Sequence, residues 1–246
     1  MMKYELEIIA FDIQSCSEIE NCGATRIELC ANPLEGGTTP SAGMIKAARS
    51  ACSIQLFPII RPRGGDFLYS AAEFEAMRED IQQCKSIGCD GVVLGMLTSK
   101  GEVDQKRCAQ LIEAAGSMEV TFHRAFDRVR DPFEAMESII ALGCTRILTS
   151  GLHPHASEGA LLIRELVERA GTRIQIMVGS GVRSDKIRSL ASSTTATCFH
   201  SSARIDNSSA MQYSNSDMHE ALKHATVDPM EVRRIKQALD NYFSPS

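Results

Sequence analysis

Near the middle of the chain, His123, Arg124 and Asp127 put an imidazole, a guanidinium and a carboxylate within five residues. An imidazole moves protons near neutral pH, a carboxylate can orient it, and a guanidinium holds an oxyanion. Val120, Thr121 and Phe122 favour extended backbone immediately before them. Asp131-Pro132, a cap residue followed by a first-turn proline, opens a helix soon after. A strand that ends in such groups and then yields to a helix is how an α/β protein builds the mouth of an active site.

Period-two alternation sorts the charged residues of the other strands. In the first strand Leu6, Ile8 and Ala10 suit a helix-facing side and Glu7 points inward. In the second, Ile27 and Leu29 face helices, which leaves Arg26, Glu28 and Cys30 inside. Arg61 and Arg63 continue the face of Phe57 and Ile59. His123 shares its face with Thr121, Ala125 and Asp127, and Arg124 is left for the rim. Later, Cys198, His200 and Ser202 share one face, and Phe199 and Ser201 the other.

Buried charge is costly unless paired. Inward charges therefore imply either a structural ion-pair network or a working site. In the second case His123, Glu28, Asp127 and Glu7 are the candidate catalytic groups, with Asp127 orienting His123. Arg61 and Arg63 flank Pro62 in a glycine-rich loop and can hold a carboxylate or phosphate bidentately. Gly179-Ser180-Gly181 lets the backbone approach an anion, Arg183 follows, and His200 and Ser201 lie at the end of the next strand. The partner so described is a small anionic ligand.

The elements that must position these residues repeat. β-rich runs at Leu6–Phe11, Arg26–Cys30, Gln55–Arg61, Gly91–Met96, Val120–Phe122, Arg146–Thr149, Arg173–Val178 and Ala196–Phe199 alternate with helical stretches. Glycines at 88, 116 and 143 stop three of the helices. Eight strand-plus-helix units, with strands starting roughly 20 to 36 residues apart, predict a closed parallel (β/α)8 TIM barrel. An open doubly wound sheet would use fewer strands. No linker or composition break divides the chain, so residues 1–246 read as one barrel domain, ending in a helix over Pro229–Tyr242. Between them, residues 204–228 form a polar, serine-rich loop, expected to be a mobile lid or an oligomer contact.

Composition narrows the function classes. The chain has 246 residues, 43% hydrophobic and 23% charged, with net charge −5 and no basic stripe, which argues against a nucleic-acid partner. Neither an apolar leader nor a run of about 18 apolar residues is present, so no membrane association and a cytoplasmic location are expected. The nine cysteines are odd in number, contain no Cys-x-x-Cys pair, and read as reduced thiols. His153-Pro154-His155 is a lone His-x-His, and no zinc-type spacing occurs.

Glu28-Leu29-Cys30, the Arg61–Phe67 loop, Thr121–Asp127, Leu148-Thr149-Ser150-Gly151 and His200-Ser201-Ser202-Ala203 together resemble the CutC family. The resemblance runs from about Leu6 through Ala203 and includes the final helix. It implies a cytoplasmic TIM barrel, oligomeric, with a dimer favoured, and described as a copper homeostasis protein. It also implies Cu(I) ligation by cysteines, for which Cys30 and Cys52 are the corresponding positions. Two classes of function therefore stand: a Cu(I)-binding protein, or a barrel enzyme doing acid/base chemistry on a small anionic substrate.

Overall fold

The computed structural model of the chain describes residues 4–219 and 222–244. The strands are β1 (Glu5–Ala10), β2 (Arg26–Leu29), β3 (Gln55–Pro58), β4 (Gly91–Leu94), β5 (Glu119–Phe122), β6 (Arg146–Thr149), β7 (Gln175–Val178) and β8 (Cys198–Ser201). The helices between them are α1 (Ile13–Asn21), α2 (Ala42–Ala51), α3 (Ala71–Ile87), α4 (Gln105–Ala115), α5 (Pro132–Ala141), α6 (Ala160–Ala170) and α7 (Ile187–Thr194). Strand order is β3-β2-β1-β8-β7-β6-β5-β4. A parallel bridge between Ile59 and Val93, with the Ile60 amide on Val93 O at 2.7 Å, joins β3 to β4 and completes the ring. This is the expected TIM barrel.

Helices α1 to α5 each start where the sequence gives the first amides a side-chain acceptor, whereas α6 and α7 begin without one. Ser70 and Glu73 form a capping box on α3, and Asp131 accepts from Phe133 and Glu134 at the start of α5. The alternation also holds. Leu6, Ile8, Ala10, Ile27 and Leu29 belong to the large core between strands and helices, whereas Cys30, Phe57, Ile59 and Val93 form a separate cluster inside the barrel. A last helix, α8 (Pro229–Phe243), buries Val232, Ile235 and Leu239, stacks Phe243 on Tyr4 and sets it at a tilt against Phe199.

The lower half of the interior is ionic. Fully buried Arg26 donates to Glu7 at 2.5 Å and to Glu5 at 2.9 Å. Arg146 pairs with Glu119 and approaches Glu5 at 3.7 Å. Both guanidinium groups lie over the Phe57 ring, 5.3 and 5.4 Å from its centroid, a favourable place for a cation against a π face. The inward charges therefore split: those near the strand starts form a structural network, and those near the strand ends line a cavity.

Residues 204–228 are not a plain loop. Arg204–Ser208 (β9) pairs antiparallel with Lys223–Val227 (β10), and a single 3-10 turn covers Ser216–Met218. Residues 220 and 221 lie outside the described residues. The hairpin projects from the mouth side, leaving Ile205, Met211, Tyr213, Met218 and Leu222 exposed. Among the described residues no helix is long and apolar enough to cross a membrane.

Candidate active site at the barrel mouth

Two joined cavities open at the C-terminal ends of the strands. The smaller, about 90 Å³, is lined by Glu28, Arg61, Phe67, His123, Arg124 and His200, among others. The larger, about 430 Å³, shares Glu28, Arg124 and His200 and extends over Cys30, Gly181 and Arg183 to Arg204. Its volume suits a small metabolite.

Glu7, Glu28 and His200 form the proton-handling core. His200 Nδ1 is 2.7 Å from Glu7 Oε1, and its Nε2 is 3.5 Å from Glu28 Oε2. Burial alone would raise Glu7, but the Arg26 guanidinium and the His200 hydrogen bond outweigh it and hold the carboxyl at about 2. Burial works against the His200 cation as well, yet the hydrogen bond to Glu7 and the charge of Glu28 raise its pKa. Glu28 lacks such a partner: burial and the nearby Glu7 charge push it up to about 7, against the pull of His200. One carboxylate is thus fixed in its ionised form, while the other is poised to exchange a proton near neutrality. The three groups' ligand atoms lie within 4.8 Å of one another, a spacing that a cation could share. Arg26 on Glu7 and the proton between Glu7 and His200 already balance that charge.

His123 lies on the far side of the small cavity, in van der Waals contact with Phe67, the two rings tilted by 52° with centroids 4.9 Å apart. Strand geometry stops at Phe122, because a 3-10 turn begins at Arg124 with His123 as its cap. The sequence expectation carried period-two alternation past that point, and this is where it fails. Asp127 does not orient His123. It accepts from Thr149 Oγ1 at 2.6 Å, the Ser150 amide at 3.0 Å and Arg124 Nε at 2.7 Å, tying the turn to the end of β6. Arg124, assigned to the rim, lines both cavities instead.

Arg61 reaches the mouth, and its terminal nitrogens clamp Glu35 O, Gly37 O and Gly65 O at 2.7 to 3.1 Å. Arg63 does not reach it. It pairs outside with Asp66 and Glu73, and its guanidinium covers Tyr69. Gly179 backs the site, where a Cβ would meet Leu148 Cδ1 at 2.5 Å and so disturb the wall behind His200. Gly181 lines the larger cavity at φ +73°, a backbone region costly for other residues. Ser201 also lines it, while its hydroxyl donates to Val182 O at 2.7 Å.

Two basic residues and an unusual backbone complete the larger lobe. Arg183 and Arg204 contact only backbone carbonyls among the described residues, Arg204 O at 3.0 Å and Pro33 O at 3.5 Å respectively. Ser180 adopts φ +75°, and the amides of Ser180, Gly181 and Val182 find no acceptor among the described residues. Sequence reasoning noted Arg183 behind the Gly-Ser-Gly turn but missed Arg204, which opens what read as a featureless polar loop. His155 also lines this lobe; His153 contributes only its carbonyl, to Ser150.

Cys30 and Cys52 do not close a copper site. Cys30 follows β2 at the mouth and is level with Ile59, whose amide bonds Leu29 O. Cys52 caps α2 before β3 begins, on the opposite end of the barrel, with its thiol on Ala48 O at 3.2 Å. The strand between these levels spans about 13 Å, so the expected Cys30–Cys52 pair cannot share one ion. Burial, then the Glu28 charge, raises the Cys30 thiol well above its usual range, which disfavours a thiolate there. All nine cysteines are free.

Comparison with known proteins agrees with this architecture. The model of the CutC family matches residues 4–205. A CutC family protein of Chromobacterium violaceum is 49% identical over 242 residues, covering 96% of this chain and 98% of its own. The mouse protein named copper homeostasis protein cutC homolog is 43% identical, over 87% of this chain and 78% of its own. The crystal structure of a CutC protein from Streptococcus agalactiae superposes with a TM-score of 0.78 at 35% identity, over 81% of this chain and 98% of that one.

Proposed function

The chain belongs to the CutC family, and from that premise we propose that its barrel mouth binds a small anionic metabolite and performs acid/base chemistry on it. The observation that carries this is the convergence of Glu28, His200, Arg61 and His123 on one cavity, continuous with a lobe whose Arg183 and Arg204 have no carboxylate partner among the described residues. In this reading Glu28 exchanges the proton, Glu7 and His200 hold and tune it, and the larger lobe holds the anion. Nine free thiols suit a reducing, cytoplasmic setting.

Inorganic phosphate at about one hundred times its Kd is expected to add about 2.7 kcal/mol of stability, or some 5–10 °C in Tm. In Arg183→Ala/Arg204→Ala the binding should weaken at least tenfold, whereas Arg63→Ala should leave it unchanged. An equal shift in the double variant would remove the anion site from this lobe.

Copper is the role that the mouse relative's name carries. A Cu(I) centre needs soft ligands, and among the described residues that line the mouth cavities only Cys30 supplies one. Stoichiometric Cu(I) binding that Cys30→Ala abolishes would favour that reading over the metabolite.

We assign self-association, with a dimer favoured, to the β9–β10 hairpin, where Met211 and Tyr213 are 67% and 73% exposed. Light scattering should give twice the chain mass for the protein and the single mass for Met211→Ser/Tyr213→Ser. A monomeric wild type would end the assignment.

A further inference from the structure

Four buried side-chain atoms lack a hydrogen-bond partner among the described residues: Arg61 Nε, His123 Nε2, Tyr69 Oη and Thr121 Oγ1. The first two belong to side chains that line the same 90 Å³ cavity, and the other two do not. Arg61 and His123 are only 5% and 3% exposed, so solvent does not readily satisfy them. Both are donors. The terminal nitrogens of Arg61 each donate to backbone carbonyls, three bonds in all, and Nε is its one nitrogen with no partner among the described residues. His123 Nδ1 accepts from the Ala125 amide at 3.2 Å, which places the ring proton on Nε2. Burial, and then the Arg61 charge, push this imidazole down to about 3, so it stays neutral and offers a hydrogen bond rather than a proton.

Two unpartnered N–H donors on side chains that line one small cavity are suited to stabilise a carbonyl oxygen as it gains negative charge. The same cavity holds one group suited to take a proton from carbon, the Glu28 carboxyl, backed by His200 and Glu7. We infer that the mouth enolises an α-hydroxycarbonyl compound carrying a phosphate, with Glu28 as the base and Arg61 and His123 as the oxyanion donors. The Glu28 carboxylate takes the proton from the carbon beside the carbonyl. The C–H electron pair becomes the C=C bond, and the carbonyl π pair moves to oxygen, which Arg61 Nε–H and His123 Nε2–H hold. Return of the proton to carbon restores the carbonyl, so the step balances without an oxidant or reductant. The phosphate sits in the larger lobe with Arg183 and Arg204. This inference rests on the anionic-ligand reading and narrows it to one class of substrate and one class of reaction.

The test uses the full chain in deuterium oxide with dihydroxyacetone phosphate, ribulose 5-phosphate and fructose 6-phosphate, followed by proton NMR. Thermal shift is measured in parallel with inorganic phosphate and with 2-phosphoglycolate, whose carboxylate imitates the enediolate. At least one sugar phosphate should exchange its α-proton a hundredfold or more above the protein-free rate. 2-Phosphoglycolate should bind at least tenfold tighter than phosphate. His123→Phe, which keeps the ring packing against Phe67, should lower exchange at least tenfold while leaving the phosphate shift intact. If phosphate stabilises the protein but no probe exchanges and 2-phosphoglycolate gains nothing, enolisation is wrong and the anion reading stands. If neither phosphate nor 2-phosphoglycolate stabilises it, the anion reading falls and takes this inference with it. Exchange that persists unchanged in His123→Phe would overturn the oxyanion assignment.

Discussion

Arg26→Ala is expected to destabilise the protein by about 3–5 kcal/mol, because it strands a buried carboxylate. Arg26 and Glu7 are both fully buried, and the guanidinium gives Glu7 its principal counter-charge while also bonding Glu5. His200 remains on Glu7, but burial already opposes the charge that it would then have to carry. In a chain of this size the loss corresponds to roughly 6–20 °C in Tm. Urea and thermal unfolding of Arg26→Ala, Arg26→Met and Arg26→Met/Glu7→Gln separate charge from packing. If the stranded charge is the cause, the double variant recovers much of the loss suffered by Arg26→Met. A double variant no more stable than Arg26→Met would assign the effect to lost packing on Phe57 instead.

The second large effect concerns Glu28 and has opposite signs for activity and stability. Its carboxyl is raised to about 7 in the folded protein, against an unfolded value of about 4.3. The folded state therefore binds this proton more tightly. The stability it contributes is complete below about pH 4.3 and is lost as pH rises through about 7, an effect of about 4 kcal/mol. His200 is raised as well, so its contribution is also present at low pH and lost as pH rises through its folded value. Glu7, held at about 2, runs the other way: its contribution is present above about pH 4.3 and is lost as pH falls toward 2. Glu28→Gln keeps the shape and removes the buried charge. It should be more stable than wild type above pH 7, while proton exchange on a bound α-hydroxycarbonyl phosphate falls by about 10²–10⁴. Wild-type exchange should climb through about pH 7 and level off above it. A variant that is no more stable at pH 8 and exchanges at the wild-type rate would remove Glu28 from the centre of the site.

These expectations depend on residues that were readable to different degrees. Glu28 and Arg61 were found because a charged residue at an inward strand position conflicts with burial unless something answers it. His123 was found for the same reason, but its relation to Asp127 was misread. Alternation is a property of extended backbone, and the chain leaves that geometry at His123 to form a 3-10 turn. Arg63 was misplaced through the same extrapolation, since β3 ends at Pro58 and the loop beyond it is free to turn outward. Arg204 carried no local signal: its place at the mouth follows from the hairpin that pairs β9 with β10.

The sequence by itself determined the number and order of strand–helix units, the inward face of the five strands whose alternation it sorted, and the family. These depend on periods of two and 3.6 residues and on caps, which act over a few neighbours. Only the tertiary structure decided which inward charges are structural and which can work. Glu7 meets His200 across 193 residues of chain, and Arg26 meets Cys198 across 172, because closure brings β8 against β1. A carboxylate's pKa and role follow from its counter-charge and its burial. Glu7, with Arg26 beside it, became a fixed anion, and Glu28, without such a partner, became the group poised to move a proton.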